Sequence, residues 1–349
     1  MGSKVERNSS VELLRSLSIF GILLLHTFGT YFGVATNSGL KYGVIVNSLC
    51  NSCVTILFLI SGYYGIKTNR KKIINIWLMV LFYSVMESAT RVYFYGTVID
   101  APLILKTFLP LTVGDVNWYL RTYILIAIFA DKINAIIEKE KKKNLLKIII
   151  LMVIIFNIIP TFTKIQFLGD TGKGLINMLI VYVIGRYIAL HVKKISRIKM
   201  FIIASLTLIV EVLLNWKYTA LAGYIGVIAP YRLDYSIFIL IIGICIFGFF
   251  ITFNFKSKII NSIAKSTLSI ILIDHTVRLI VPYYIDMSYD ALCGNLPLYL
   301  ILYSLFIFAV GFVVNKISRL LFKRFDSFVT NIIDKLFDLI NKYIFKEKN

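Results

Sequence analysis

The sequence predicts an all-α, polytopic integral membrane protein, a bundle of about ten transmembrane helices followed by a C-terminal amphipathic helix. Three observations carry this. Hydrophobic residues fill 58% of the 349 positions and charged residues only 16%, with a mean hydropathy of +0.81; a soluble domain of this length has a larger charged fraction. Apolar runs long enough to cross a hydrocarbon core recur along the whole chain. The basic residues concentrate in alternate connections, the asymmetry that membrane insertion leaves behind.

The runs fall at 11–32, 44–64, 74–95, 118–137, 145–162, 174–191, 199–215, 235–253, 264–284 and 298–320. No signal-peptide cleavage pattern precedes the first, which is therefore expected to be retained. The stretch 219–230 is apolar but short, so it is either a re-entrant or interfacial piece or part of a longer eighth span. The longest outer connection, 96–117, contains Pro102, Pro110, Gly114 and Asp115 and is expected to fold over the outer mouth of the bundle.

Lys67, Arg70, Lys71 and Lys72 form one basic cluster; Lys139 with Lys141, Lys142 and Lys143, then Lys193, Lys194 and Arg197, then Lys256 and Lys258 form others. They share a side with the N-terminus and the tail from Lys316 onward, which puts both termini in the cytoplasm. A net charge of +20 would otherwise suit nucleic acid, but this distribution is a topology signal and argues against that partner. The lipid bilayer is the partner the composition demands.

Residues 1–322 read as one membrane domain, with no linker and no internal repeat of the kind that marks inverted-repeat transporters. In the tail, 323–349, Phe325, Phe328, Val329, Ile332, Ile333, Leu336, Ile340 and Tyr343 recur at helical spacing, with Asp326, Asp334, Lys335 and Lys342 between them. That pattern is an amphipathic helix lying on the cytoplasmic leaflet or docked against the bundle. The four cysteines are too few and too scattered for a disulfide scaffold. Cys50 and Cys53 have no second Cys or His pair to complete a zinc site, so ordinary packing and no metal are expected.

The spans hold an unusual set of ionisable residues: Glu12, Arg15, His26, Glu87, Arg91, Arg121, Arg186, Glu211, Asp274, His275 and Arg278. Each would cost a few kcal/mol facing lipid, so together they imply a hydrated or densely paired interior. Glu12/Arg15, Glu87/Arg91 and Asp274/Arg278 are three or four apart and can each neutralise along one helix. His26, Arg121 and Arg186 have no such neighbour. Arg15 and His26 are eleven positions apart, about three helical turns, so they share a face and are separated by roughly 16 Å along the axis. His26 and His275 both fall near mid-membrane, and a neutral imidazole accepts a hydroxyl proton near pH 7.

Four segments in order then resemble the membrane-bound acyltransferase-3 family. The first span matches its arginine–x10–histidine signature, with Glu12 at an acidic position. Ile56 to Tyr64, containing Ser61, Gly62 and Tyr63, is similar to its Phe-rich Ser-Gly-Tyr segment. Asn117, Trp118, Tyr119, Leu120 and Arg121 resemble the Trp-Tyr-Leu stretch opening its fourth span, and Ser269 to His275 resemble its late Tyr-Leu-x-His motif. The family's R-x-x-R motif is replaced here by Lys67-x-x-Arg70 or by single basic residues, and lysine lacks the planar fork of arginine.

The resemblance implies a bacterial enzyme of the plasma membrane that moves an acyl group, most often acetyl, from cytoplasmic acyl-CoA to a cell-surface glycan or its lipid-linked precursor. It needs no permanently bound cofactor, acetyl-CoA being the donor substrate. His26 would act as base or become acylated, with Arg15 and Glu12 beside it in the catalytic set. Arg15, Lys67, Arg70, Lys71 and Lys72 would hold the donor's phosphates, with Ser61 and Tyr63 counted on the donor side. Trp118 and Tyr119 would stack on a sugar ring, while Arg121, Arg91 and His275 complete the substrate-binding set and Arg91, Arg121 or Ser61 would stabilise an oxyanion. The competing reading is a transporter or flippase of a lipid-linked sugar, which also needs a charged cavity and outer aromatics; a glycan polymerase is a further alternative.

Overall fold

The computed structural model describes residues 8–32, 37–67, 69–112, 118–222, 230–284 and 296–345. Most of these residues are helical, with no strand among them. The helices are α1 (Ser9–Phe32), α2 (Asn37–Cys50), α3 (Ser52–Tyr64), α4 (Arg70–Tyr95), α5 (Ala101–Phe108), α6 (Trp118–Lys139) and α7 (Lys142–Val153). After a π-turn at Ile154–Ile158 come α8 (Ile159–Thr163), α9 (Leu175–His191), α10 (Arg197–Ala222), α11 (Ile237–Ile251), α12 (Lys258–Ala264), α13 (Thr267–Tyr284) and α14 (Leu296–Phe345).

Six segments among the described residues are long and apolar enough to cross a membrane: Ser9–Phe28, Gly43–Tyr64, Arg70–Tyr95, Lys142–Thr163, Arg197–Tyr218 and Pro297–Leu320. Leu175–His191 and Ile237–Ile251 are apolar but shorter. The two remaining expected spans coincide with α6 and α13, each interrupted by charged residues. Asn51 separates α2 from α3, yet its amide still bonds Asn47 O at 2.9 Å, so the apolar segment runs on through the junction.

Two parts of the chain outside the expected spans are helical. The connection after α4 holds a helix of its own, α5, because Asp100 caps it by accepting from Leu103 N and Pro102 sits in its first turn. The last span and the tail form one continuous helix, α14, through position 322. Gly114, Asp115 and Asn117 lie outside the described residues, as does 223–229 of the short apolar stretch.

The bundle closes around α1, which packs against α2, α3, α11, α12, α13 and α14. The most extensive contact joins α3 to α9, and glycine makes it possible. A Cβ on Gly62 would stand 2.0 Å from Tyr182 O, and one on Gly185 would stand 2.4 Å from Leu59 O. Both obstacles are backbone carbonyls, which cannot swing aside, so the helices approach at these points through small residues alone. Tyr182 locks the crossing, accepting from Ile66 N at 3.1 Å and donating to Asn134 Oδ1 at 2.8 Å. Gly62→Ala is therefore expected to push α3 from α9 and lower stability by about 1–3 kcal/mol. A thermal melt of the detergent-purified variant measures this, and an unchanged midpoint would contradict the close crossing.

Candidate active site

The first helix is pinned at its start. Asn8 accepts from Ser10 N and donates to Phe253 O, while the Ser10 hydroxyl donates to Phe250 O. The first of these bonds satisfies a first-turn amide of α1, and the other two tie the start of α1 to carbonyls at the end of α11. Further along α1, Arg15 Nη1 donates to Glu12 Oε2, three residues before it, at 3.0 Å. His26, roughly 16 Å further along the axis, meets a partner from a different helix. Its Nδ1 lies 2.7 Å from Asp274 Oδ2 on α13.

That carboxylate is shared. Arg278 Nε donates to Asp274 Oδ1 at 2.7 Å. The Arg278 Nη2 group continues to α1, donating to Leu23 O at 3.0 Å and Thr27 Oγ1 at 2.7 Å. Thr27 Oγ1 also meets Ser304 Oγ of α14 at 2.9 Å. An ionised carboxylate away from water survives when a cation and further hydrogen bonds surround it, and Asp274 has both. Its side chain is 5% exposed whereas that of His26 is 51% exposed, so the ring is open while its anchor is closed. With Nδ1–H donating to the carboxylate, Nε2 becomes the acceptor nitrogen of the neutral ring.

A second group of the same composition stands alongside. Arg91 Nε donates to Glu87 Oε1 at 3.0 Å within α4, and His275 Nδ1 lies 2.9 Å from the same oxygen. Arg91 Nη2 is 3.5 Å from that imidazole. Asp274 and His275 are neighbours on α13, about 100° apart around the helix, so one residue turns to α1 and the next to α4. His26, Asp274, Glu87 and His275 all line one cavity of about 110 Å³, with Tyr83 and Tyr119 in its wall. That volume holds several waters.

The other expected site residues are dispersed. Arg15 and Glu12 do not line this cavity; Arg15 acts electrostatically on Tyr64, Tyr119 and Tyr123, so Tyr119 stands between the two regions. Ser61 spends its hydroxyl on Leu57 O at 2.8 Å, and Tyr63 packs edge-on against Tyr64 and Phe247. Trp118 meets Tyr119 edge-on, Tyr119 stacks on Tyr123, and Lys173 Nζ lies 5.7 Å from the Trp118 ring centre. Arg121 is half-buried on α6, outside the cavity wall. Arg186 finds a partner across helices, pairing with Glu138 of α6.

The basic cluster at the start of α4 is engaged by the chain's own tail. Arg70 Nη1 donates to Asp338 Oδ1 at 2.7 Å and its Nε lies 3.5 Å from Asp334. Lys71 Nζ reaches Asn331 at 3.3 Å and Asp334 at 3.5 Å, and Thr330 Oγ1 meets Asn75 Oδ1 at 2.6 Å. Lys72 Nζ turns back to Lys67 O at 2.7 Å.

The spacing allows Asp274/Arg278 and Glu87/Arg91 each to pair along one helix, and both contacts are present. Each carboxylate nevertheless takes a histidine from a neighbouring helix as well. The available signal was depth: His26 and Asp274 both fall near mid-span, one in the first apolar run and one in the ninth.

A bundle of apolar helices holding two histidine–carboxylate–arginine groups against one cavity defines an integral membrane protein with polar groups in its interior. The chain belongs to the acyltransferase-3 family: a family model described as an acyltransferase domain matches residues 8–316. It is accordingly a membrane acyltransferase. No curated protein and no solved structure matches the chain.

The buried ion pair gives a direct test of this geometry. Arg278→Ala leaves Asp274 without its cation and cuts the bonds to Leu23 and Thr27, so a loss of about 3–5 kcal/mol is expected. Denaturant or thermal unfolding in detergent reads it, and wild-type stability would contradict the shared carboxylate.

Proposed function

We propose that the chain is an O-acyltransferase of the bacterial plasma membrane, with both termini cytoplasmic and about ten spans. It takes an acyl group, most simply acetyl, from cytoplasmic acyl-CoA and places it on a hydroxyl of a cell-surface glycan or lipid-linked precursor. The observation that carries the reading is the Arg278–Asp274–His26 chain at the wall of an internal cavity.

The chemistry follows from that chain. A sugar hydroxyl oxygen attacks the thioester carbonyl carbon while its proton passes to His26 Nε2. The new C–O bond forms, the C–S bond breaks, and the sulfur departs with the electron pair. Asp274 holds the ring in the tautomer that can accept the proton and stabilises the imidazolium once it forms. Arg278 holds Asp274 through Oδ1 and ties it to the backbone of α1. Donor phosphates would compete with Asp334 and Asp338 for Arg70 and Lys71, since both ligands offer anionic oxygens to the same cations. Trp118 and Tyr119 offer faces to a sugar ring, and Tyr119 is the one that also lines the cavity.

Membrane vesicles supplied with labelled acetyl-CoA test the role of His26. His26→Ala, present at wild-type level, is expected to lose transfer by about 100-fold or more. Undiminished transfer would remove His26 from the mechanism.

A further inference from the structure

The reading above uses one histidine, yet two face the cavity. His275 is 38% exposed at its side chain, too open for a packing histidine sealed in a core. Its Nδ1 is committed to Glu87, and its Nε2 has no hydrogen-bond partner among the described residues. Glu87 in turn is oriented by Arg91 from the same helix. The arrangement repeats arginine, carboxylate and imidazole in the order found at Arg278, Asp274 and His26. The two copies are joined through the Asp274–His275 peptide bond, so α13 supplies the carboxylate of one and the imidazole of the other.

We infer that His275, positioned by Glu87 and Arg91, is the acid partner of His26 and delivers a proton to the departing sulfur of the acyl donor. This rests on the acyl-transfer reading. The physical need is local: a thiolate released in water is tolerable near neutral pH, but one released in a confined cavity within the bilayer loses its hydration and is costly. Protonation as the C–S bond breaks avoids that cost. The balance closes. The hydroxyl proton goes to His26, the His275 proton goes to sulfur, and the cavity then holds one protonated and one neutral imidazole, as it did at the start. Proton exchange between them through cavity water restores the starting assignment. Glu87 and Arg91 are positioning residues, and His275 is the group that meets sulfur.

The experiment varies the leaving group. Purified protein in proteoliposomes is given acetyl-CoA and acetyl thioesters of N-acetylcysteamine, thiophenol and 4-nitrothiophenol, thiols of rising acidity. For His275→Gln, transfer from acetyl-CoA and from the N-acetylcysteamine ester is expected to fall about 100-fold in kcat with KM little changed. The deficit should shrink to about 3-fold or less with the nitrothiophenyl ester, whose thiolate needs no proton. Glu87→Gln, which keeps the shape of the site, is expected to show the same trend with smaller amplitude. An equal loss across the series in both variants, or no loss with acetyl-CoA, would overturn the inference. His26→Gln in parallel should lose transfer from every donor; if it does not, the base assignment fails, and that outcome is distinct from a flat His275 series.

Discussion

A single carboxylate, Asp274, holds the centre of this bundle together. It is buried where α13 meets α1, and it binds one cation within its own helix and one imidazole from another. Desolvation makes such a group costly alone and strongly directional when partnered. The requirement that both carboxylate oxygens be satisfied fixes the rotation of α13 against α1, and Arg278 adds bonds to the α1 backbone and to Thr27. Helix rotation, ring orientation and tautomer of His26 are thus set by one electrostatic constraint.

The same rotation places His275 toward α4, where Glu87 and Arg91 await it. Because adjacent helical residues point about 100° apart, a helix that turns Asp274 to one neighbour cannot avoid turning His275 to another. The second imidazole is therefore a geometric consequence of the first contact, and both end in one cavity. The glycine-lined crossing of α3 and α9 forms a rigid part of the frame in which this happens, since the closest approaches there are between backbones.

Much of this was legible in the sequence. Apolar run lengths marked the helices, since backbone polar groups in a membrane leave helix as the economical solution. The Arg15–His26 spacing and the depth of both histidines pointed at a polar interior. The partnership between helices was not legible. Local spacing pairs Glu87 with Arg91 and Asp274 with Arg278, and nothing in that spacing says that each carboxylate has a second oxygen or lone pair to give a histidine. Arg15 and His26 share a face about three turns apart, and Arg15 pairs with Glu12 as their spacing allows; that His26 takes its partner from α13 was not in that spacing. The tail was similar. Asp334 and Asp338 are four apart and so share a face, but that α14 runs on without a break and brings them to Arg70 and Lys71 is a property of the packed chain.

The most direct measurement is thiol release by the purified protein in proteoliposomes, with acetyl-CoA on the basic-cluster side and a glycan acceptor on the other. One free CoA per acyl group transferred is expected for the wild-type chain. Asp274→Asn, which removes the charge that orients His26 but keeps the size of the side chain, is expected to slow that release by about two orders of magnitude or more. Movement of a lipid-linked sugar without thiol release, or an Asp274→Asn rate equal to wild type, would contradict the account.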